Sequence, residues 1–172
     1  MPKNILIAYA TRYGSTEEVA AAIARILRAQ GFETTVRPAR DVKTLETYQA
    51  IVLGAPLYFG SIHRDALKFL ERHGASPKRP PLAVFILGPS QDDEHALEEA
   101  RSSVRTTMDA ALGLPPVDIA VFGGKYDPAK LRFPDTLIAR LPASPLRGAR
   151  ASDARDWTRI EAWANALGGK LR

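Results

Sequence analysis

The chain has 172 residues, of which 45% are hydrophobic and 25% charged, and it carries a net charge of +5. That size and make-up suit one globular domain with its own core and exclude disordered and fibrous classes. The absence of cysteine removes disulfides, thiol nucleophiles, iron–sulfur clusters and thiolate zinc sites, and His63, His73 and His95 lack paired ligand spacing, so no metal is expected and redox chemistry has to come from an organic cofactor.

In chain order, the first apolar run is NILIAYA from Asn4, near-continuous as a strand covered on both faces requires. The sequence turns polar after that one strand's length, with no leader pattern, so a cytoplasmic location is expected. Val19, Ile23, Ile26 and Leu27 mark the apolar face of a helix that stops at Gly31. FETTVR from Phe32 alternates and predicts a second strand, and AIVLGA from Ala50 predicts a third. HRDALKFLERHG predicts a helix ending at Gly74. LAVFILG from Leu82 is far too short to span a bilayer and predicts a fourth strand. DDEHALEEARSSVRTTMDAALG predicts a longer helix ending at Gly113, and VDIAVFGG from Val117 a fifth strand. Residues 125–152, with Pro128, Pro134, Pro142 and Pro145, are long for a plain loop and predict function or short structure of their own. Trp157, Ile160, Ala164 and Leu167 share one face of a last helix, which reads as core packing.

Strands alternating with helices imply βαβ crossovers and a parallel sheet with helices on both sides. Five such strands point to a doubly wound α/β sandwich of three layers, order 2-1-3-4-5, spanning residues 1–172 as a single domain. In that order ligands bind between the first and third strands, outside their carboxyl ends. The relevant loops are Thr11 to Thr16, Ala55 to Ile62 and Pro89 to His95.

The first of these, TRYGST, runs straight into a helix, whose free N–H groups and positive dipole end suit a phosphate monoester. Thr11, Ser15 and Thr16 add hydroxyl donors, Gly14 lets the backbone bend closely, and Arg12 and Tyr13 complete the loop. The same residues also fit a helix capped by Ser15 and closed by Glu18, with no ligand. The loop has neither the Gly-Lys-Thr ending of a P-loop nor GxGxxG, which disfavours ATP and NAD. In the second loop, Pro56, Leu57, Tyr58, Phe59 and Gly60 offer aromatic faces and close backbone approach to a flat heteroaromatic ligand, unless the rings pack under the loop. The third loop offers polar Ser90 and Gln91 but no ring.

The hydroxyl–glycine–threonine loop, GAPLYFG after the third strand and the five-strand rhythm together resemble the FMN-binding flavodoxins. YATRYGSTEEVA, IVLGAPLYFGSIHRDALKFLERH, the Gly123-Gly124 pair and DARDWTRIEAWANAL resemble the menaquinone-dependent protoporphyrinogen oxidase branch of that superfamily. The resemblance implies a flavodoxin-like fold with FMN, its phosphate on Thr11 to Thr16 and its isoalloxazine ring between the Tyr58 and Ser90 loops. It also implies electron transfer from protoporphyrinogen IX to a membrane quinone in haem synthesis. Where that branch carries an arginine in the loop matched by LYFG and a basic segment after the fourth strand, this chain has Tyr58-Phe59 and SQDDEH.

Between the fifth strand and the last helix, Leu131, Phe133, Leu137, Ile138 and Leu141 are interleaved with Lys130, Arg132, Arg140 and Arg147. This pattern fits a basic, apolar lid toward a quinone, porphyrin or membrane surface, and equally a packed surface loop. Arg140 to Arg172 holds seven Lys/Arg against three Asp/Glu, which suits peripheral contact with an anionic membrane face; no nucleic-acid module accompanies it. No side chain is an obvious acid or base, so no catalytic residue is assigned. Beside a flavoenzyme, two other functions fit: an electron carrier of flavodoxin type with a redox-protein acceptor, and a flavin-free regulatory domain. The net positive charge argues against the first, since such carriers are usually acidic. A phospho-receiver wants carboxylates where Tyr9-Ala10 and Gly54-Ala55 stand.

Overall fold

The computed structural model describes residues 1–89, 93–144 and 146–172. In chain order the elements are β1 (Asn4–Tyr9), α1 (Ser15–Ala29), β2 (Glu33–Pro38), β3 (Ala50–Tyr58), β4 (Ser61–Ile62), α2 (Arg64–His73), β5 (Leu82–Leu87), α3 (Glu94–Ala111), β6 (Asp118–Phe122), β7 (Lys125–Tyr126), α4 (Asp135–Ile138), β8 (Ser152–Asp153) and α5 (Trp157–Lys170). All five apolar runs of the sequence form strands. They pair in parallel in the order β2-β1-β3-β5-β6, which is the expected 2-1-3-4-5 once the two-residue β4 is set aside.

Continuous hydrophobicity in the central strands is explained by a core on each face. Because side chains alternate along a strand, Ile5 and Ile7 join Val52, Phe85 and the apolar stripes of α1 and α5, while Leu6 and Ala8 join Leu53, Val84 and those of α2 and α3. β2 lies at the sheet edge and buries none of its residues, consistent with its more polar, alternating sequence. Gly54 has a packing reason: a Cβ there would stand 2.1 Å from Phe85 Cζ, so the ring fills the space that glycine leaves. On α5, Ile160, Ala164 and Leu167 are buried as expected, but Trp157 is more than a third exposed and Trp163 instead packs edge-on against Phe85 and Phe122.

Two details differ from the sequence reading, and a third gives form to the short structure it expected. The third strand does not end before Ala55: the ladder continues with Pro56 opposite Leu87, and β3 runs to Tyr58 before turning back into β4. Phe59 and Gly60, with φ of 46° and 77°, form that two-residue turn, whose mirror-type geometry matches the twist of paired strands. The capping box on α1 does not form. Gly14 is the N-cap, no side chain caps the helix, and Glu18 is drawn to Arg155 instead. Residues 125–152 are neither a plain loop nor part of the sheet. Their ends zip together as the antiparallel pair β7–β8, with a 3-10 turn at Pro128–Lys130 and the four-residue α4 between them.

Candidate functional site

A cavity of about 450 Å³ opens at the carboxyl ends of β1, β3 and β5, within the range of about 300–1,000 Å³ usual for small-ligand sites. The α1 loop forms one wall. The β3–β4 turn and the chain after β5 form two more, and the segment between β7 and β8 closes the top. Of the residues expected at the site, Arg12, Tyr13, Ser15, Pro56, Leu57, Tyr58 and Phe59 line this one cavity. Thr11, Gly14, Thr16 and Gly60 do not line it, while Ser90 and Gln91 lie outside the described residues.

The α1 loop leaves the start of its helix without a side-chain cap. Thr11 Oγ1 accepts from Gly14 N at 2.9 Å, which tightens the turn and leaves the hydroxyl proton free to donate elsewhere. Gly14 adopts φ 91°, a left-handed conformation that suits glycine, and the helix starts with no side-chain acceptor on its first N–H groups. Thr16 is fully buried, and its Oγ1 has no hydrogen-bond partner among the described residues. A buried hydroxyl without a partner costs about 1–3 kcal/mol, and Thr34 Oγ1, His73 Nε2 and Arg79 Nε, away from the cavity, share that state. The two acidic residues of the first turn are engaged laterally: Tyr9 donates to Glu17 at 2.9 Å, and Arg155 Nη1 reaches Glu18 at 2.7 Å.

Arg155 is the basic residue that sequence reading missed. Its side chain is 3% exposed, forks onto Asp153 through Nε at 2.8 Å and Nη2 at 2.7 Å, and lies over the Trp157 ring at 5.0 Å. It also reaches the Ser15 carbonyl at 3.4 Å, so it ties the start of α5 to the start of α1. Hydrogen bonding from Arg155, against some burial, holds the Asp153 carboxyl below its usual range. No local signal marks a lone arginine 140 positions from its partner.

On the opposite wall, Tyr58 meets Tyr13 edge-on at 6.5 Å, and the Arg12 guanidinium lies 5.9 Å from both ring centres. Burial, with Tyr13 nearby and Arg12 opposing, pushes the Tyr58 phenol up to about 12, and burial together with its bond to Asp135 raises Tyr13. Both phenols are therefore neutral donors near pH 7. Phe59 is 66% exposed at the rim in a left-handed backbone conformation that is uncommon for a bulky residue.

The segment between β7 and β8 divides its apolar residues between two sides. Leu131, Ile138 and Leu146 face the cavity, whereas Phe133, Leu137 and Leu141 are more than half exposed. Its Asp135 binds Arg12 and Tyr13. Sequence length and proline content flagged the segment, but nothing local indicated that Asp135 would reach the first loop.

A family model described as a flavodoxin domain matches residues 6–153. Protoporphyrinogen IX dehydrogenase (quinone) of Escherichia coli strain K12 is 28% identical over 82 residues, and the chain spans less than half the length of the curated relatives it matches, 45% of that protein for 46% of its own. Among solved structures, the Streptococcus pneumonia TIGR4 flavodoxin aligns with a TM-score of 0.61 at 15% identity, over 98% of this chain and 97% of that one. A short-chain flavodoxin associated with a non-canonical PDU bacterial microcompartment aligns at 0.64 and 16%, over 98% and 96%. These two likenesses are of fold.

Proposed function

The chain belongs to the flavodoxin domain family, an FMN-binding fold, and on that premise we propose that it is an oxidoreductase, taking electrons from a reduced organic substrate of porphyrinogen type and passing them to a quinone. The observation that carries this reading is the roofed cavity. A protein that only shuttles electrons needs its flavin edge open to a partner protein, whereas here residues 127–151 cover the site and turn Leu131, Ile138 and Leu146 into it. An apolar wall beside the ring position suits an organic substrate.

The residues present fit FMN. The uncapped α1 start, Gly14 and the unpartnered Thr16 hydroxyl would hold the phosphate, with Thr11 and Ser15 adding donors. Pro56 to Gly60, facing the chain after β5, would hold the ring, with Tyr58 as the flat contact; Ser90 and Gln91 follow Pro89 on that side in the sequence. When bound, FMN supplies the two-electron chemistry, and the protein contributes binding, orientation and exclusion of water. Tyr13 and Tyr58 remain protonated and hold their phenolic protons. The half-match to the Escherichia coli dehydrogenase supports the donor and acceptor classes. The outward Phe133, Leu137 and Leu141, in a basic stretch of sequence, support peripheral contact with the membrane surface where such a quinone dissolves.

The test is a visible spectrum of the purified chain with FMN, excess removed, followed by assay with protoporphyrinogen IX and a soluble menaquinone analogue. Flavin retained near one equivalent, with quinone-dependent appearance of the fluorescent porphyrin, is the expected result. A chain that retains no flavin overturns the reading. Flavin that reduces a cytochrome but turns over no porphyrinogen or quinol replaces it with an electron carrier.

A further inference from the structure

Arg12 and Asp135 are 123 positions apart, yet they form the best-matched ion pair at the cavity. Arg12 Nε lies 2.6 Å from one carboxylate oxygen and Nη2 2.7 Å from the other, the parallel fork by which guanidinium recognises a planar carboxylate. The Tyr13 hydroxyl donates to the same carboxylate. Asp135 is only 14% exposed at its side chain although α4, which carries it, contributes no buried residue and its neighbours Phe133 and Leu137 are exposed. What shields this carboxylate is the seat itself.

The other groups around the guanidinium come from outside the covering segment. The Arg12 guanidinium also lies 5.9 Å from the centres of the Tyr13 and Tyr58 rings, which meet edge-on, and these three residues belong to the α1 loop and the end of β3 rather than to the covering segment. The covering segment is loosely attached by comparison. None of its described residues between Lys125 and Ser152 belongs to either hydrophobic core. A guanidinium flanked by two tyrosine rings at a cavity with an apolar wall, met by a carboxylate on a strap that adds nothing to either core, has the layout of a recognition site filled by an internal competitor.

We propose that Arg12 and Tyr13 form a carboxylate-binding subsite for the organic substrate, and that Asp135 occupies it as a stand-in until the substrate's own carboxylate displaces α4. This deepens the oxidoreductase reading and rests on it for the identity of the ligand as a substrate. It narrows that substrate to an apolar, ring-bearing molecule with a carboxylate on its edge. The shared chemistry of the seat is an oxyanion with two oxygens in one plane, which the FMN phosphate also offers. The phosphate has its own donors at the α1 start, so the seat goes to the substrate.

Isothermal titration of the FMN-loaded full chain with 2-naphthoate and with its methyl ester tests this. Asp135→Ala is expected to tighten 2-naphthoate binding about tenfold and leave the ester unchanged. Adding Arg12→Gln is expected to remove the gain. Asp135→Asn, which keeps the side chain's shape, is the second variant and is expected to move in the same direction. Equal naphthoate affinity in wild type and both variants, an equal gain for the ester, or a gain that survives Arg12→Gln overturns the proposal. So does tighter FMN but not riboflavin binding in Asp135→Ala with naphthoate unchanged, because the seat then belongs to the cofactor phosphate. The flavin absorbance of the same samples keeps the two readings apart: naphthoate binding that depends on Arg12 in a chain without flavin retains the subsite and discards the redox function, and the converse result discards the subsite alone.

Discussion

At the scale of single residues, two positions carry energetic tension. Thr16 buries a hydroxyl with no partner among the described residues. Thr16→Val keeps its shape and removes the unsatisfied group, so the flavin-free protein is expected to become more stable by about 1 kcal/mol while FMN affinity falls about tenfold or more. Urea unfolding and flavin titration read the two effects separately, and a loss of stability would mean that the hydroxyl has a structural partner. Phe59 holds φ 46° where glycine would be unstrained, which costs roughly 1–2 kcal/mol. Phe59→Gly is expected to raise the urea midpoint accordingly; an unchanged or lower midpoint would show that the exposed ring is held by contacts that offset the strain. Thr16 was legible as a candidate from its place in a hydroxyl–glycine loop before a helix. The strain at Phe59 was not, because the sequence Tyr58-Phe59-Gly60 does not announce a two-residue turn.

At the scale of elements, α2 begins with a titratable cap. His63 Nδ1 accepts from Asp65 N at 3.1 Å, which requires that nitrogen to be unprotonated. Burial first, with Arg12, Arg64 and Arg40 adding and Asp65 opposing, holds His63 below its usual value. The folded state thus binds this proton less readily than the unfolded chain. The contribution of His63 is complete above about pH 6.5, the unfolded value, and is lost as pH falls from there through the folded pKa. His63→Asn retains an acceptor that does not titrate. The urea midpoint of wild type is expected to drop relative to that variant between about pH 7.5 and 5, by an amount approaching 1 kcal/mol, a cap's usual worth. Parallel curves for the two proteins would remove the cap from the account, and the subtraction also cancels His73, which burial lowers as well. Strand and helix positions were legible throughout because hydrophobic period is local. Strand ends were less so: β3 outlasts its apolar run because pairing with β5 continues through Pro56 and Leu87, a property of the neighbour.

At the scale of the molecule, the covering segment is separable from the fold. β7 and β8 place Tyr126 opposite Ser152, so a two-residue Asn-Gly turn can join them in place of residues 127–151. With no core residue and one partly exposed ion pair lost among the described residues, the shortened chain is expected to unfold cooperatively within about 1 kcal/mol of the full chain. Co-sedimentation with anionic vesicles is expected to disappear with the segment. A large drop in the urea midpoint would show instead that the strap is part of the core. By itself the sequence determined the alternation of strands and helices, the two-sided burial of the central sheet and which loops follow the strands' carboxyl ends, because each rests on periodicity and turn chemistry within some twenty residues. Only the tertiary structure decided that Asp135 closes over Arg12, that Arg155 secures the start of α1, and that Leu131 and Ile138 face inward while Phe133 and Leu137 face out. Those are meetings of side chains more than a hundred residues apart, or choices of side within an irregular segment. Charge and greasiness along a chain have no period there from which a partner or a direction can be read.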